Sequence, residues 1–398
     1  MILLKRNNGG GSAKVPPFPE VFVAVPGLYD RPMNEGNQVL DDLREMVVRE
    51  SPSDDPDRVS ALAHWICARL NTGGAAIARS VPFPLRGDGV IAELGTVGPG
   101  TLLLGHIDTV WPVGTIGELP FSTDGGVAKG PGVFDMKAGV AVAIQVLDRL
   151  RLKEPCPRVT LLLVPDEEVG SSASSPFLLE TARRHDRVLV LEPSAPGGAA
   201  KVARKGTGLF RLRFTGIPSH AGLDPEKGAS ALRALAEFVV AAPSFENKER
   251  GTTVTPTLAS SGTKTNVVPE HAEVAVDCRV WRQEEARRLE QALRAWGCSD
   301  PRVKVEFQGG FDRLPLEETD ASRALFARAK TIAADLGFEL RGERVGGASD
   351  GNLTGAAGIT TLDGLGPMGD GAHARHEHVL ISDLPRRVDF IERLVLSV

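Results

Sequence analysis

Seven residues along this chain carry the side chains of a metal site. His106 and Asp108 open the set, two positions apart in Gly-His-Ile-Asp-Thr-Val (105–110). An acidic series follows: Asp135 in Gly-Pro-Gly-Val-Phe-Asp-Met-Lys, the adjacent Glu167 and Glu168 in Asp-Glu-Glu-Val-Gly, and Glu192 in Val-Leu-Glu-Pro. His373, in Gly-Asp-Gly-Ala-His-Ala, closes it. Two imidazoles and three carboxylates, with a further carboxylate to spare, are what two borderline divalent ions sharing a bridging ligand require. The spare carboxylate would activate a water.

The elements that must position these groups are short buried strands. Leu102–Leu104, Thr160–Val164 and Val188–Leu191 are apolar runs, and charged members of the set follow each of them. In open α/β sheets, ligands bind beyond the carboxyl ends of the strands. Helical spacing begins near Gln38, with Leu40, Leu43, Met46 and Val47 on one face, and a second amphipathic helix is expected over 57–72. Strand and helix patterns then alternate: strands at 101–105, 158–164 and 187–191, helices at 136–151 and 172–184. That alternation predicts an α/β fold with a mixed, mainly parallel sheet flanked by helices.

The pattern changes between Val202 and Phe311. A strand over 209–215, a helix over 228–242, strands over 252–258 and 271–281, a helix over 283–297 and a strand over 302–308 give the order β-α-β-β-α-β. This is the ferredoxin-like split unit, an inserted α+β domain. Helices over 320–336 and 382–396 return the chain to its first domain. The expected organisation is an N-terminal arm over 1–35, rich in Gly, Pro and Asn, a metal-binding domain of 36–201 plus 313–398, and the insertion over 202–312.

Composition excludes several classes. A chain of 398 residues with 42% hydrophobic content can fill two cores. Its net charge of −5, without a basic block, argues against nucleic acid and anionic membranes as partners. The 28 Pro and 44 Gly fall short of low complexity. Four scattered cysteines (67, 156, 278, 298) form neither a CxxC metal site nor a disulfide scaffold. The first residues lack the apolar core of a signal peptide, and no apolar run is long enough to span a membrane. A cytoplasmic enzyme is the resulting expectation.

At this point the sequence resembles a known family, the M20 metallopeptidases, and within it the bacterial glutamate carboxypeptidases that act on folates. The resemblance rests on Gly-His-Ile-Asp-Thr-Val-Trp-Pro-Val-Gly-Thr (105–115), Gly-Pro-Gly-Val-Phe-Asp-Met-Lys-Ala-Gly (130–139) and Asp-Glu-Glu-Val-Gly-Ser (166–171). Leu-Glu-Pro (191–193), Ser-His-Ala-Gly (219–222), Thr-Asn-Val-Val-Pro (265–269) and Gly-Ala-His (371–373) follow in family order, so that residues 40–398 are covered.

The resemblance implies a zinc exopeptidase-like fold, two Zn²⁺ per chain with Co²⁺ or Mn²⁺ as substitutes, and a role for each position. His106, Asp135 and Glu192 would hold one ion; Asp135, Glu168 and His373 the other, with Asp135 bridging. Glu167 would be general base and acid. Asp108 would orient His106 through its other ring nitrogen, as carboxylates commonly do for metal-bound imidazoles. In an extended segment, only one of Glu167 and Glu168 could easily face the metals. The resemblance also implies a cis peptide between Asp135 and Met136. It further implies a homodimer whose inserted domain lends His220 to the partner's site as a donor to the oxyanion.

A substrate with a free carboxylate, whether a small molecule or a short peptide, calls for an arginine. Arg279 in Val-Asp-Cys-Arg-Val and Asn266 match family positions. Arg313, in Phe-Asp-Arg-Leu-Pro, is a further candidate, although the family often has Asn-Arg-Pro-Pro there. Gly346–Asp350 resembles a glycine-rich family loop near the metals. Three readings remain open: a dizinc carboxypeptidase releasing a glutamate-like residue from a peptide, folate or N-acyl amino acid; a deacylase of the acetylornithine or succinyl-diaminopimelate type; and a non-enzymatic dimeric binding protein of the same fold.

Overall fold

A computed structural model describes residues 35–72 and 77–397. The arm expected over residues 1–35 lies outside the described residues, Glu35 excepted. From Glu35 onward the chain forms one compact unit.

The apolar runs become a six-stranded sheet in the order Ile77–Phe83, Gly87–Leu94, Pro157–Val164, Val97–His106, Arg187–Val190, Thr361–Leu362. The last four strands run parallel, and the first two form an antiparallel hairpin at one edge. The central strands are apolar without a break because both faces of the sheet are covered. Alternation along them sends Leu103, Leu161, Leu163 and Leu189 into one core. Leu102, Leu104, Leu162, Val164, Val188 and Val190 enter the core on the opposite face. The register sets His106 level with Val164, and Leu104 level with Val190, so the strands end together. The sequence pattern does not foretell the edge hairpin: Pro82 and Gly87-Asp88-Gly89 break the alternation that marks a strand. A small sheet of Ser122–Asp124, Val127–Lys129, Gly369–Asp370 and His378–Leu380 is likewise too short to leave a pattern.

The helix Ala138–Leu150 is buried over nearly its whole length, between the sheet and the helices Glu35–Val47 and Asp383–Leu396. Only small residues allow its first turn to approach the strand ends. A Cβ on Gly139 would lie 2.1 Å from the Leu191 carbonyl oxygen.

Between Gly206 and Arg313 the chain builds a second sheet, in the order Thr253–Ser261, His271–Val280, Gly206–Thr215, Lys304–Arg313, antiparallel throughout. With helices Ala231–Ala241 and Gln283–Ala295 it has the expected ferredoxin-like topology. Phe210, Leu212 and Phe214 point into its own core, and Leu209, Arg211 and Arg213 point outward. Its last strand runs beyond the expected 302–308 and ends in a bulge at Asp312, which turns Arg313 toward the first sheet. No helix among the described residues is long and apolar enough to cross a membrane.

Gly139→Ala is expected to push the buried helix off the Leu191–Glu192 backbone and to cost about 1–3 kcal/mol, the usual cost of overpacking. Urea unfolding measures it; an unchanged midpoint would contradict the close approach.

Candidate metal centre

His106 ends the central parallel strand and is fully enclosed. Its Nδ1 lies 3.0 Å from the Asp108 carbonyl oxygen and 3.4 Å from Asp108 Oδ1. With that side occupied, Nε2 faces the recess, 3.2 Å from Asp135 Oδ1 and 3.6 Å from Glu192 Oε1. Asp135 comes from the turn ahead of the buried helix, and the expected cis peptide to Met136 is present. Its second oxygen, Oδ2, is 3.3 Å from Nε2 of His373, which in turn lies 3.2 Å from Glu168 Oε1. The contacts therefore form two groups, His106/Asp135/Glu192 and Asp135/Glu168/His373, and Asp135 gives one oxygen to each. His106 is buried and His373 exposed, so the recess opens on the His373 side.

Glu167 and Glu168 do not lie in an extended segment. They begin a single 3-10 turn, Glu167–Val169, and the expectation that adjacent side chains point apart does not apply. Asp108 holds that turn. Its carboxylate accepts the backbone N–H of Glu167 at 3.1 Å and of Glu168 at 3.2 Å, and the Ser53 hydroxyl at 2.7 Å. Both glutamates thus face the recess: ligand atoms of His106, Glu167 and Glu192 lie within 4.8 Å of one another, as do those of His106, Asp135 and Glu168.

The electrostatics are those of a cation site. Burial pushes Glu192 up to about 7, and the nearby Asp135 adds to the shift. Burial also dominates at Glu167 and holds it well above the usual carboxylate range, although Arg313 and His106 oppose it. Burial would lower His106, but hydrogen bonds to Asp108 and Asp135 outweigh it and raise the ring well above its ordinary value. Hydrogen bonds to Asp135 and Glu168 push His373 up to about 10. Carboxylates this crowded are costly to bury unless cations sit among them. Nitrogen and carboxylate donors in this proportion fit two borderline divalent ions.

The other candidates are placed as follows. Arg313 is buried, donating to Glu167 Oε1 at 2.7 Å, to the Glu167 carbonyl at 3.1 Å and to Ser171 Oγ at 2.8 Å, with Asp350 Oδ1 at 3.3 Å. It is occupied by Glu167. Arg279 lies in the same cross-strand row, opposite Thr207, which Arg313 flanks from the other side. It pairs bidentately with Asp277 and keeps a third of its side chain exposed. His220 and Asn266 are exposed neighbours on the inserted layer, joined by the Ala221 N–H to Asn266 carbonyl bond of 3.0 Å. Nδ1 of His220 accepts the N–H of Gly222 and of Leu223, so Nε2 carries the ring hydrogen and remains a donor. Among the described residues, no hydrogen bond or ion pair joins His220 or Asn266 to the metal-centre residues.

Sequence reasoning missed the supports. Arg204 lies 3.7 Å from Glu192 and is clamped bidentately by Asp363. Asp350, which ends the glycine-rich loop, bonds Ser171 beneath Arg313. Glu377 sits four residues after His373 and accepts bonds from the Asp135 turn. The loop ending in Asp350 was noted in the sequence but given no role, and the position of Glu377, close behind His373, could have drawn notice.

A recess of this kind at the carboxyl ends of an α/β sheet defines a metallo-hydrolase. Comparison with known proteins narrows the class. Residues 102–397 match Peptidase family M20/M25/M40, and the chain belongs to that family. Carboxypeptidase G2 of Pseudomonas sp. (strain RS-16) is 30% identical, over 93% of this chain and 91% of its own. A succinyl-diaminopimelate desuccinylase of Methylorubrum populi is 28% identical, over 84% of this chain and 92% of its own. Among solved structures, aminopeptidase PepT from Bacillus cereus shares the fold with a TM-score of 0.76 at 18% identity, covering 91% of this chain and 98% of its own.

Metal ions must displace the protons that raised imidazoles hold. Zinc added to metal-free protein at about pH 8 is therefore expected to release protons, since His373 stays protonated up to about 10. Affinity should weaken as the pH falls. An indicator-dye titration reads the release, which should shrink in His373→Ala; no release from the unaltered protein would contradict the arrangement.

Proposed function

We propose that this protein is a dizinc carboxypeptidase that hydrolyses an amide bond and releases a glutamate-like C-terminal residue from a folate, peptide or N-acyl amino acid. The observation that carries the reading is the shared Asp135, with Glu167 beside His106 and Glu192 of the first donor group. His106, Asp135 and Glu192 would hold one ion, and Asp135, Glu168 and His373 would hold the second. When bound, the ions polarise the scissile carbonyl and make water a stronger acid. Glu167 takes a proton from the water that attacks the scissile carbonyl carbon and returns it to the amine nitrogen as the C–N bond breaks. Its raised affinity for a proton suits a group that must do both. Asp108 fixes the turn from which Glu167 acts. Arg279 receives the substrate carboxylate, with Asn266 on the same layer, because Arg313 is already paired with Glu167. The name of the Pseudomonas relative supports the carboxypeptidase reading. That of the Methylorubrum relative favours the deacylase alternative.

A panel of folates, dipeptides and N-acyl amino acids, assayed on zinc-loaded protein, tests the reading; turnover confined to N-succinyl or N-acetyl substrates would favour the deacylase. Glu167→Gln is expected to lower kcat by about 10³–10⁴-fold, the upper part of the general acid–base range, while two ions per chain remain bound. Glu168→Gln should lose an ion instead. The reverse pattern of metal content would exchange the two roles.

We also propose a homodimer formed through the inserted layer. Leu232, Val239 and Val240 on the helix Ala231–Ala241, and Leu258 of the edge strand Thr253–Ser261 on the other face of the sheet, are exposed apolar residues. Exposed edges and apolar patches of this kind favour association. In such a dimer His220 acts in the partner's recess. Glu167→Ala and His220→Ala homodimers should then both be inactive. A mixed dimer isolated through two tags has one site with both changes and one with neither, so it should recover about half of the unaltered activity. A mixed dimer as inactive as its parents would show that His220 does not act across the interface.

A further inference from the structure

Glu377 is buried to 3% exposure yet belongs to neither donor group. Its Oε1 accepts the backbone N–H of Phe134 at 2.8 Å and of Asp135 at 3.0 Å. Its Oε2 accepts the N–H of Gly132 at 2.9 Å and the indole N–H of Trp111 at 2.8 Å. Three N–H groups within four residues thus converge on one carboxylate, an anion-binding nest formed by the chain itself. Gly132 makes this possible through a left-handed φ of 71°.

The carboxylate joins three segments that each carry part of the metal centre. Trp111 lies five residues beyond His106. The nest is the turn that presents Asp135, whose own N–H is one of the four donors. Glu377 itself closes the compact turn that presents His373: its N–H bonds the Ala374 carbonyl at 2.9 Å, and the Ala374 N–H bonds Gly371 at 2.8 Å. Within that turn His373 adopts φ 62°, a conformation that non-glycine residues keep only where their surroundings enforce it.

We propose that Glu377 is a positioning residue of the metal centre, setting the Asp135 turn and the His373 turn at the separation both ions require. The inference rests on the assignment of Asp135 and His373 as ligands. A carboxylate is needed because four donors meet it. Glutamine has the same shape but one acceptor oxygen, and its amide group would confront N–H donors with N–H.

The test compares unaltered protein, Glu377→Gln and Trp111→Phe, the last deleting a single donor. Zinc affinity is measured against a competing chelator, the thermal midpoint is measured without metal, and visible spectra are recorded for the Co²⁺-loaded proteins. Loss of a group that orients metal ligands typically weakens binding by about 10–100-fold. Besides the lower metal-free midpoint that N–H facing buried N–H brings, Glu377→Gln is expected to show that loss for at least one ion and a changed Co²⁺ spectrum. Trp111→Phe should change both in the same direction but less. A lowered metal-free midpoint with unaltered zinc affinity and Co²⁺ spectrum would mean that Glu377 only staples loops, and would overturn the proposal. If Glu377→Gln fails to fold, Trp111→Phe decides by the same criteria. Fewer than two ions on the unaltered protein would instead overturn the ligand assignment on which the inference rests.

Discussion

Asp135 faces His106 with one carboxylate oxygen and His373 with the other, and the rest of the site is arranged around that division. A carboxylate can serve two neighbours at once only if its backbone is held still. Here the holding is done by the buried helix that follows it and by the nest of N–H groups closed on Glu377. Acidic groups so crowded would repel one another in an apolar sheet end. Interleaved imidazoles, and the cations they would admit, turn that repulsion into a binding site.

The scaffold meets this constraint by ending its parallel strands at one level. Burial on both faces of the sheet forces the central strands to be apolar, which leaves their carboxyl ends as the first place where charged side chains can gather. His106, the Glu167 turn and Glu192 all leave the sheet there. The supports lie one layer further back: Asp108 and Ser53 beneath the glutamate turn, Arg204 and Asp363 behind Glu192. A metal centre built in this way depends as much on groups that never touch a metal as on its ligands.

The inserted layer is joined to this centre by Arg313. A bulge at the end of its last strand delivers the guanidinium into the first sheet's territory, where it pairs with Glu167 and Asp350. The side chain that pairs with Glu167 therefore belongs to the layer proposed to bind the substrate carboxylate. In the same cross-strand row, two strand spacings away (about 10 Å), stands Arg279. The two arginines differ in what surrounds them rather than in sequence. One is enclosed by carboxylates and the other is partly open to solvent.

Much of this was legible in the residues. Strand runs followed by acidic groups located the sheet ends. The change of pattern after Val202 located the ferredoxin-like insertion, and the motif order singled out the side chains that the fold brings together at the recess. These features are local: a buried strand must be apolar along its length, and a ligand must have the right atoms. The edge hairpin was hidden by Pro82 and by glycines that cost an edge strand little. The 3-10 turn at Glu167 was hidden because two adjacent glutamates read alike in any backbone conformation. What only the tertiary structure decided was which charged groups meet. That Arg313 pairs with Glu167 follows from the bulge at Asp312 and from nothing in the sequence around it. Glu377 gains its partners only when the turn from Gly132 to Asp135 closes on it. Pairings of this kind join residues more than a hundred positions apart, and no local pattern encodes them, because their energy exists only once the backbone has brought the partners out of water together.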